Sequence, residues 1–501
     1  MNIIRPLIQR GIKPRLGEIQ LFDTIPQKIQ EEIFFFLLES AKNTEWGKTY
    51  KYEEINSIKT FQERVPVSTY EDIEHIINRS RKGEPDLLWP GETEWFAKSS
   101  GTTGSKSKFI PVTKDFFWGN HYQGGQDTTS LYLKNNPKSL FYKGKMLILG
   151  GSMSENQYGV IEGDISAIMI NNIPPAVDIF RVPSKEITLM KEWETKLEAI
   201  VKNTIDRNVT TLSGAPAWFL TLIKEVLKTS GKNSLLEVWP NLELFVHGGI
   251  SFEPYREQYK QLIPSEKMNY MEVYNASEGF FAIQDRPREK SMLLMLDYQT
   301  FYEFMPLEEL GKLYPKTHTI EEVEIGKNYA MIISTSSGLW RYLIGDTVMF
   351  TSKYPYRIKV TGRTKYFINA FGEELIADNA EMAIAKTCLQ TGAVVKEYTV
   401  APVFMSKRNK GRHQWLIEFE KQPADIEQFA DALDKNIQEL NSDYEAKRYK
   451  SLTMERLQII VVKDGGFYEW LKQRGKLGSQ HKIPRLQNDR TLVEEILGSH
   501  N

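Results

Sequence analysis

The sequence predicts an α/β protein of two unequal parts. In the larger part, short apolar strand candidates alternate with amphipathic helical patterns, which is typical of α/β layering. Two strand candidates, 242–246 and 271–274, end in loops of small and polar residues, where ligands of such sheets usually bind. After about residue 361 the pattern changes to strands around one amphipathic helix, which predicts a smaller α+β domain.

The chain begins with a mostly helical region, from about residue 20 to 90. Its most apolar run, 33–38, is far shorter than the roughly 20 residues that a membrane span needs, so we expect a packed core helix and no membrane partner. The apolar residues expected to share the buried face of this helix are Ile29, Ile33, Phe36 and Leu37.

Strands are predicted next at 146–149, 242–246 and 271–274, and a helix at 193–205, where apolar residues recur at helical spacing. In the smaller part, 397–405, 413–419 and 457–462 are predicted strands, and 426–440 carries an apolar helical stripe. A short helix is expected after 465–466. We therefore expect a large domain over 1–361, a hinge at 362–372 and a small domain over 373–501.

Composition narrows the class of protein. The chain has 501 residues, 41% of them hydrophobic, which excludes a disordered chain. Its 64 Lys and Arg against 65 Asp and Glu give a net charge of −1, which argues against a nucleic-acid or anionic-membrane binder. The single cysteine, Cys388, excludes an internal disulfide and suits a reducing compartment. We expect a soluble, cytoplasmic protein.

The most informative segment is the Ser/Thr/Gly/Lys-rich loop at 99–108. Its glycines let successive backbone N–H groups face a phosphate, while hydroxyls and lysines add donors and charge. The loop is not a Walker A motif, since no Gly-Lys-Ser/Thr triplet follows a Gly at the required spacing. Such loops are more often solvated linkers, but the apolar segments on both sides favour a ligand loop.

This loop resembles the phosphate-binding signature of the adenylate-forming superfamily, in the form found in the GH3 family of acyl-acid amido synthetases. Further segments resemble that family's other motifs in the expected order. They are the glycine turn 248–251, the second adenylation motif 274–281, the third motif 340–346, the hinge 362–365 and the lysine segment 479–485. The resemblance spans about residues 30–490, and the ordered set is far more specific than any one motif.

The resemblance implies a large N-terminal α/β domain of the adenylate-forming type with a smaller, mobile α+β C-terminal domain. It also implies ATP and Mg²⁺ as cofactors. By resemblance, Glu278 would hold Mg²⁺, Asp346 the ribose hydroxyls, and Lys482 the charge that develops during adenylation. The residues expected to bind ATP are Ser99, Ser100, Gly101, Thr102, Thr103, Gly104, Lys108, Gly248, Gly249, Ala276, Ser277, Asp346, Arg363 and Lys365; the catalytic residues are Lys482 and Glu278.

Each assignment has a structural alternative when its residue is taken alone. Glu278 could satisfy a helix N-terminus, Asp346 could cap a turn, and 248–249 could be a tight turn. Arg363, Lys365 and Lys482 could be solvated charges, the usual state of such side chains. The joint pattern favours the functional interpretation.

The chain departs from the family pattern at one arginine. Plant members often carry Arg two residues before the glycine of the third motif, where this chain has Leu343, while Arg341 lies two residues earlier. The resemblance also suggests an acyl pocket between helices and sheet. Its candidate lining residues, for which core packing is an equal explanation, are Phe116, Trp118, Tyr122, Trp218 and Phe219.

Other chemistries find little support. The seven histidines are scattered without metal-ligand spacing, and 150–154 lacks the final glycine of a nucleophile elbow. The basic run 407–412 lies between two strand patterns, so a hairpin turn is expected there and no nucleic-acid site.

We therefore expect an ATP-dependent ligase that adenylates a small carboxylic acid and transfers the acyl group to an amine, expected to be an amino acid. The amide step comes from the resemblance alone. Two alternatives stay open: an acyl-coenzyme A ligase of the same superfamily, and a non-catalytic nucleotide-binding protein. The acid, the amine and the oligomeric state are not fixed by the sequence.

Overall fold

The protein is described here by a computed structural model. The residues that it describes are 4–99, 108–249, 252, 255–364, 367–368, 370–371, 373, 375–404, 411–448, 454–474, 483–487 and 489–498.

The helices of the described residues are α1 (Ile4–Gln20), α2 (Pro26–Ala41), α3 (Glu45–Thr49), α4 (Ile58–Arg64), α5 (Tyr70–Ser80), α6 (Lys114–Phe116), α7 (Gln123–Asn135), α8 (Ile165–Asn172), α9 (Pro175–Asp178), α10 (Lys185–Thr188), α11 (Trp193–Thr204), α12 (Pro216–Ser230), α13 (Leu235–Val238), α14 (Arg256–Leu262), α15 (Ala377–Thr391), α16 (Ile426–Leu440), α17 (Ser442–Arg448), α18 (Gly466–Gln473) and α19 (Thr491–Gly498). A π-helical segment, Phe117–Tyr122, joins α6 to α7.

The strands of the described residues are β1 (Trp95–Ser99), β2 (Lys108–Val112), β3 (Lys145–Ile148), β4 (Met153–Glu155), β5 (Ile161–Gly163), β6 (Arg181–Val182), β7 (Val209–Gly214), β8 (Leu244–Gly248), β9 (Asn269–Ala276), β10 (Gly279–Ile283), β11 (Met292–Leu294), β12 (Thr300–Pro306), β13 (Asn328–Thr335), β14 (Tyr342–Lys353), β15 (Tyr356–Arg363), β16 (Phe367–Ile368), β17 (Leu375–Ile376), β18 (Val394–Val403), β19 (Arg412–Lys421) and β20 (Gln458–Val462).

The N-terminal helices begin at side chains that satisfy their free backbone N–H groups. Thr44 accepts from the N–H of Gly47 at 3.0 Å, and Ser57 accepts from that of Thr60 at 3.1 Å. On α2, Phe34, Leu37 and Leu38 are buried, whereas Phe36 is 44% exposed. The expectation that Phe36 lies on the buried face is wrong, because the helix turns its 34/37/38/41 face to the core. Among the described residues, no helix is long and apolar enough to cross a membrane.

An eleven-stranded mixed sheet organises the larger part of the described chain. Its strand order is β12-β13-β14-β15-β11-β10-β9-β8-β7-β3-β6. From β9 to β6 each neighbouring pair is parallel, and from β12 to β9 each is antiparallel. The α/β expectation is confirmed for the parallel half, where α11, α12 and α14 cover one face. A separate four-stranded sheet, β2-β1-β5-β4, lies beside it.

The predicted helix at 193–205 is confirmed as α11, and the predicted helix at 426–440 as α16. Strand β8 runs over Leu244–Gly248, two residues later than expected, so Gly248 lies in the strand and not in the turn. Strand β9 likewise extends through Ala276. The end of β8 follows from its ladder with β9, which pairs Gly248 with Val273. The end of β9 follows from its ladder with β10, which pairs Ala276 with Gly279.

The C-terminal part has its own core around the sheet β18-β19-β20 and the helices α15 and α16. It contacts the larger part through polar groups. Arg485 donates to the hydroxyl of Tyr255 at 3.0 Å, Gln258 donates to the carbonyl of Val395 at 3.3 Å, and Lys224 pairs with Glu420 at 2.8 Å. These contacts hold the C-terminal part beside the carboxyl ends of the parallel strands.

Candidate active site

Two adjacent parallel strands, β8 and β9, bring the glycine turn and the second motif together. Gly248 is opposite Val273, and a Cβ at position 248 would lie 2.4 Å from the carbonyl oxygen of Val273. Gly249 follows with φ +82°, a conformation that costs little only for glycine. Both glycines are therefore required by the backbone at this strand end.

Asp346 and Arg363 meet on two other strands of the same sheet. They are direct partners in the antiparallel pair β14–β15, and the Nε of Arg363 lies 2.9 Å from Oδ1 of Asp346. The hydroxyl of Tyr274, on β9, donates to Oδ2 of Asp346 at 2.8 Å. Asp346 is thus a strand residue, not the turn cap that its sequence context allowed. Arg363 is the last residue of β15 rather than part of a linker.

Glu278 lies in the turn that joins β9 to β10 and is buried. Burial raises the pKa of its carboxyl, the positive charge of Arg363 lowers it, and the negative charge of Asp346 raises it again. Ser277, beside it, contacts the carbonyl of Lys98 at 3.5 Å, which ties the turn to β1. A buried carboxylate in this position would gain from a bound cation.

The phosphate-loop candidate is described only at its two ends. Ser99 and Lys108 are opposite each other in the β1–β2 pair. The Nζ of Lys108 lies 3.4 Å from Glu71 and 5.2 Å from the ring centre of Tyr70. The predicted site residues that lie outside the described residues are Ser100, Gly101, Thr102, Thr103, Gly104, Lys365 and Lys482.

A cavity of about 1360 Å³ joins these groups at the carboxyl ends of the parallel strands. The predicted site residues that line it are Ser99, Gly248, Gly249, Ala276, Ser277, Glu278, Asp346 and Arg363. Lys108 is not one of the described lining residues. The C-terminal part closes one side with α15 and with residues 483–485, which directly follow Lys482 in the chain.

Arg341, the arginine that is displaced from the family position in the third motif, does not line this cavity. It is buried, and its guanidinium binds both carboxylate oxygens of Glu303 at 2.9 Å. It also donates to Thr317 at 2.8 Å and to the carbonyls of Gln62 and Val65 at 2.8 and 2.7 Å. Arg341 therefore ties the N-terminal helices to the antiparallel half of the sheet.

The five aromatic candidates for the acyl pocket divide between cavity, core and surface. Tyr122 and Trp218 line the cavity. Phe116 and Phe219 are fully buried core residues, and Trp118 is 44% exposed on the surface. Phe116, Phe219 and Trp118 do not line the cavity, so they are not in a position to contact a substrate there.

Sequence reasoning missed Tyr274 as a site residue, although it opens the second motif. Its role depends on a hydrogen bond to Asp346, 72 positions later in the chain, which no local pattern indicates. It also missed Asp378 and Glu381, which bring two carboxylates of α15 to the cavity wall.

Comparison with known proteins places these features in a family. Models of the GH3 family match in order: its N-terminal domain over residues 15–268, its central domain over 293–363 and its C-terminal domain over 378–491. The indole-3-acetic acid-amido synthetase GH3.3 of Arabidopsis thaliana is 23% identical, over 94% of this chain and 91% of its own length. The jasmonoyl-L-amino acid synthetase JAR4 of Nicotiana attenuata is 23% identical, over 97% and 95%.

Solved structures agree on the fold. GH3.15 acyl acid amido synthetase superposes with a TM-score of 0.78 at 20% identity, covering 96% of this chain and 95% of the other. A 2-hydroxyisobutyryl-CoA ligase in the postadenylation state superposes with a TM-score of 0.57 at 13% identity, covering 95% and 91%. The predicted two-part architecture of the adenylate-forming type is confirmed at the level of the fold.

Proposed function

The chain belongs to the GH3 family, and we propose on that basis that it is an ATP-dependent ligase that joins a small carboxylic acid to an amine. The observation that carries the proposal is the convergence of Glu278, Asp346 and Arg363 on one cavity. These residues come from separate motifs, and a protein without nucleotide chemistry would have no need to bring them together. The names of its relatives support an amino acid as the amine.

The reaction has two steps. In the first, a carboxylate oxygen of the acid attacks the α-phosphorus of ATP, and the bond from that phosphorus to the bridging oxygen breaks. Acyl-adenylate and pyrophosphate result. In the second, the amine nitrogen attacks the acyl carbon, and the bond from that carbon to the oxygen shared with the phosphate breaks. AMP leaves with that oxygen, which came from the acid, and the nitrogen loses a proton to give the amide. Both steps depend mainly on positioning and on stabilising the charge that develops.

The strand ends provide the positioning. The backbone at Gly248 and Gly249 would pass beside the adenine. Gly248 permits the close approach of β8 to Val273, and Gly249 permits the positive φ with which the chain leaves the strand. Asp346 would accept hydrogen bonds from the ribose hydroxyls. Arg363 and Tyr274 hold the Asp346 carboxylate in place from two different strands. This fixed orientation would spare the nucleotide the cost of ordering the site.

Glu278 is a suitable ligand for a Mg²⁺ ion that is bound together with the nucleotide. Mg²⁺ usually binds through one or two carboxylates plus phosphate oxygens and water, so a single buried carboxylate beside the nucleotide suffices. Among the described residues, no cluster of three or more His, Cys, Asp or Glu forms a site independent of nucleotide. When bound, Mg²⁺ would neutralise phosphate charge.

Lys482 and the C-terminal part would complete the first step. Residues 483–485 line the cavity, so the chain reaches it immediately after Lys482. By family resemblance, the Lys482 ammonium would stabilise charge on the carboxylate and the α-phosphate when the small domain closes. The Ser99–Lys108 loop would hold the triphosphate, again by resemblance.

The test is carboxylate-dependent exchange of labelled pyrophosphate into ATP. We expect exchange with at least one acid from a panel of aliphatic, aromatic and indolic acids, and loss of exchange when Mg²⁺ is removed. ATP binding without exchange for every acid would favour the non-catalytic alternative.

The acceptor is tested separately, with the acid that gives the best exchange. Mass spectrometry of reactions containing either amino acids or coenzyme A would show which acceptor is consumed. Coenzyme A would need basic residues to bind its 3′-phosphate, and the basic run 407–412 is the candidate for them. Only the end of this run is described, and there Arg412 pairs with Glu455 at 3.4 Å. The name of the jasmonoyl-L-amino acid synthetase relative leads us to expect an acyl-amino acid, and an acyl-coenzyme A product would establish the thioester alternative.

A further inference from the structure

The cavity extends well beyond the nucleotide motifs, across the parallel half of the sheet. Its floor follows the neighbouring strands β8, β7, β3 and β6, where Val246 is opposite Ser213, Ser213 opposite Ile148, and Met146 opposite Arg181. Neighbouring strands lie about 4.8 Å apart, so the three steps from β8 to β6 span about 14 Å. We call this extension, from Val246 to Phe180, the apolar arm.

Aliphatic and aromatic side chains line the apolar arm, and many of them keep accessible surface. Met146 and Ile148 on the floor and Met169 on α8 are only half-buried. Tyr142 and Phe180 close the far end, with ring centres 5.5 Å apart. Apolar surface left accessible inside a cavity indicates an apolar occupant, because covering it removes that surface from water.

The charged group at the far end of the arm is already neutralised. Arg181 donates to Asp178 at 2.8 Å, to the carbonyl of Pro183 at 2.6 Å and to Thr188 at 2.9 Å. It is buried and has few donors left for a ligand. The occupant of the arm should therefore carry no charge at its far end.

We propose that the apolar arm binds the tail of a medium-chain aliphatic acid, of roughly eight to twelve carbons, whose carboxylate lies at the β8–β9 end beside the nucleotide site. The inference rests on the proposed function. An extended polypeptide advances about 3.5 Å over the three backbone bonds of one residue, which is about 1.2 Å per bond. An extended aliphatic chain has a similar rise per bond, so an arm of about 14 Å accommodates roughly twelve bonds. A compact ring acid would leave the Tyr142–Phe180 end empty.

The test is pyrophosphate exchange with straight-chain acids of two to sixteen carbons, together with benzoate and indole-3-acetate. We expect kcat/KM to rise about fourfold for each methylene that enters the arm, reach a maximum between about eight and twelve carbons, and fall beyond it. Octanoate or decanoate should exceed butyrate, benzoate and indole-3-acetate by at least about tenfold.

Two variants change the length of the arm in opposite directions. Ile148→Phe narrows the middle of the floor and should lower the ratio of decanoate to butyrate activity by at least about tenfold. Phe180→Ala opens the far end and should move the optimum to longer acids. Leu227→Phe is the control, since Leu227 is a half-buried residue of α12 that packs on the opposite face of the sheet.

The outcomes separate the two proposals. A maximum at two to four carbons or with a ring acid, with ratios unmoved by Ile148→Phe and Phe180→Ala, would overturn the medium-chain inference and leave the ligase intact. A decanoate-to-butyrate ratio that falls equally in Leu227→Phe would also overturn it. Exchange with no acid of either series would overturn both proposals.

Discussion

Asp346 and Arg363 form a cross-strand ion pair at the wall of the cavity, with 2.9 Å between Oδ1 and Nε, although they are 17 positions apart in the chain. Tyr274 binds the other carboxylate oxygen from a third strand. The carboxylate is therefore oriented on both sides before any ligand arrives. Asp346 is therefore already positioned for the ribose role that the resemblance implies.

Asp346→Ala should weaken ATP binding. A hydrogen bond to a charged group contributes about 1.5–3 kcal/mol, so we expect the Kd for ATP to rise by roughly 10- to 150-fold. Tyr274→Phe, which removes only the orienting hydroxyl, should have a smaller effect in the same direction. Isothermal titration calorimetry checks both, and an unaltered Kd in Asp346→Ala would exclude the ribose role.

Lys482→Ala should slow adenylation while leaving ATP affinity largely unchanged. The lysine acts on charge that develops in the transition state, so its loss should lower the rate of pyrophosphate exchange by a factor on the order of 100 or more. Lys472→Ala is the control, because Lys472 is exposed and pairs with Glu194 at 3.4 Å on the surface. Equal exchange rates in the two variants would remove Lys482 from the mechanism.

Glu278→Gln should raise the Mg²⁺ concentration needed for half-maximal exchange, by a factor of roughly ten, since a neutral amide is a poorer ligand for a hard cation. Glu272→Gln changes another carboxylate of the same cavity and serves as the control. Exchange rates measured over a Mg²⁺ titration decide the point. Identical Mg²⁺ dependence in wild type and Glu278→Gln would assign Glu278 a structural role only.

Arg341→Met should destabilise the fold rather than act on the nucleotide site. It would leave the buried Glu303 carboxylate without its charged partner, which typically costs about 3–5 kcal/mol. The urea concentration at half-unfolding should fall clearly, and the Kd for ATP should stay within about twofold. Lys260→Ala breaks an exposed pair with Glu257 and should change stability by less than about 0.5 kcal/mol.

His121 should contribute to acid sensitivity. Burial lowers its pKa to about 3, whereas the unfolded chain has a histidine pKa of about 6.5. Between these values the unfolded state binds more protons, so the free energy of unfolding falls as pH falls below about 6.5. At pH 4.5 the loss is about 2.7 kcal/mol, and it should be missing from His121→Leu.

The acid-sensitivity measurement compares urea unfolding at pH 7 and pH 4.5. His75→Gln changes an exposed histidine and should keep the full pH dependence of the wild type. A pH dependence that is the same in His121→Leu as in the wild type would mean that the ring is protonated in the folded protein.

Parts of the fold followed directly from local patterns. The helices at 193–204 and 426–440 carry apolar residues at helical spacing, and this period requires no knowledge of distant partners. The antiparallel strands over 300–363 were not predicted. Strand β12, for example, is buried along its whole length, so its two faces do not alternate between apolar and polar residues.

The candidate site, like the fold, was predicted from the sequence only in part. Motif residues such as Glu278 and Asp346 could be named from their order in the chain, and the family resemblance is confirmed by the matched domains. Their roles stay predictions that the variants above test. The correction of Phe36 and the two-residue shift of β8 arose because packing and strand register, not local pattern, decide which face is buried.

The sequence by itself determined the class of chemistry through its resemblance to the GH3 motifs, because those motifs are short segments that can be identified, in order, without knowledge of distant contacts. Only the tertiary structure decided that Arg341 is a structural residue, that Tyr274 orients Asp346, and that an apolar arm continues from Val246 to Phe180. Each of these depends on groups far apart in the chain. Such contacts form only when the strands pair, and pairing is a property of the whole sheet.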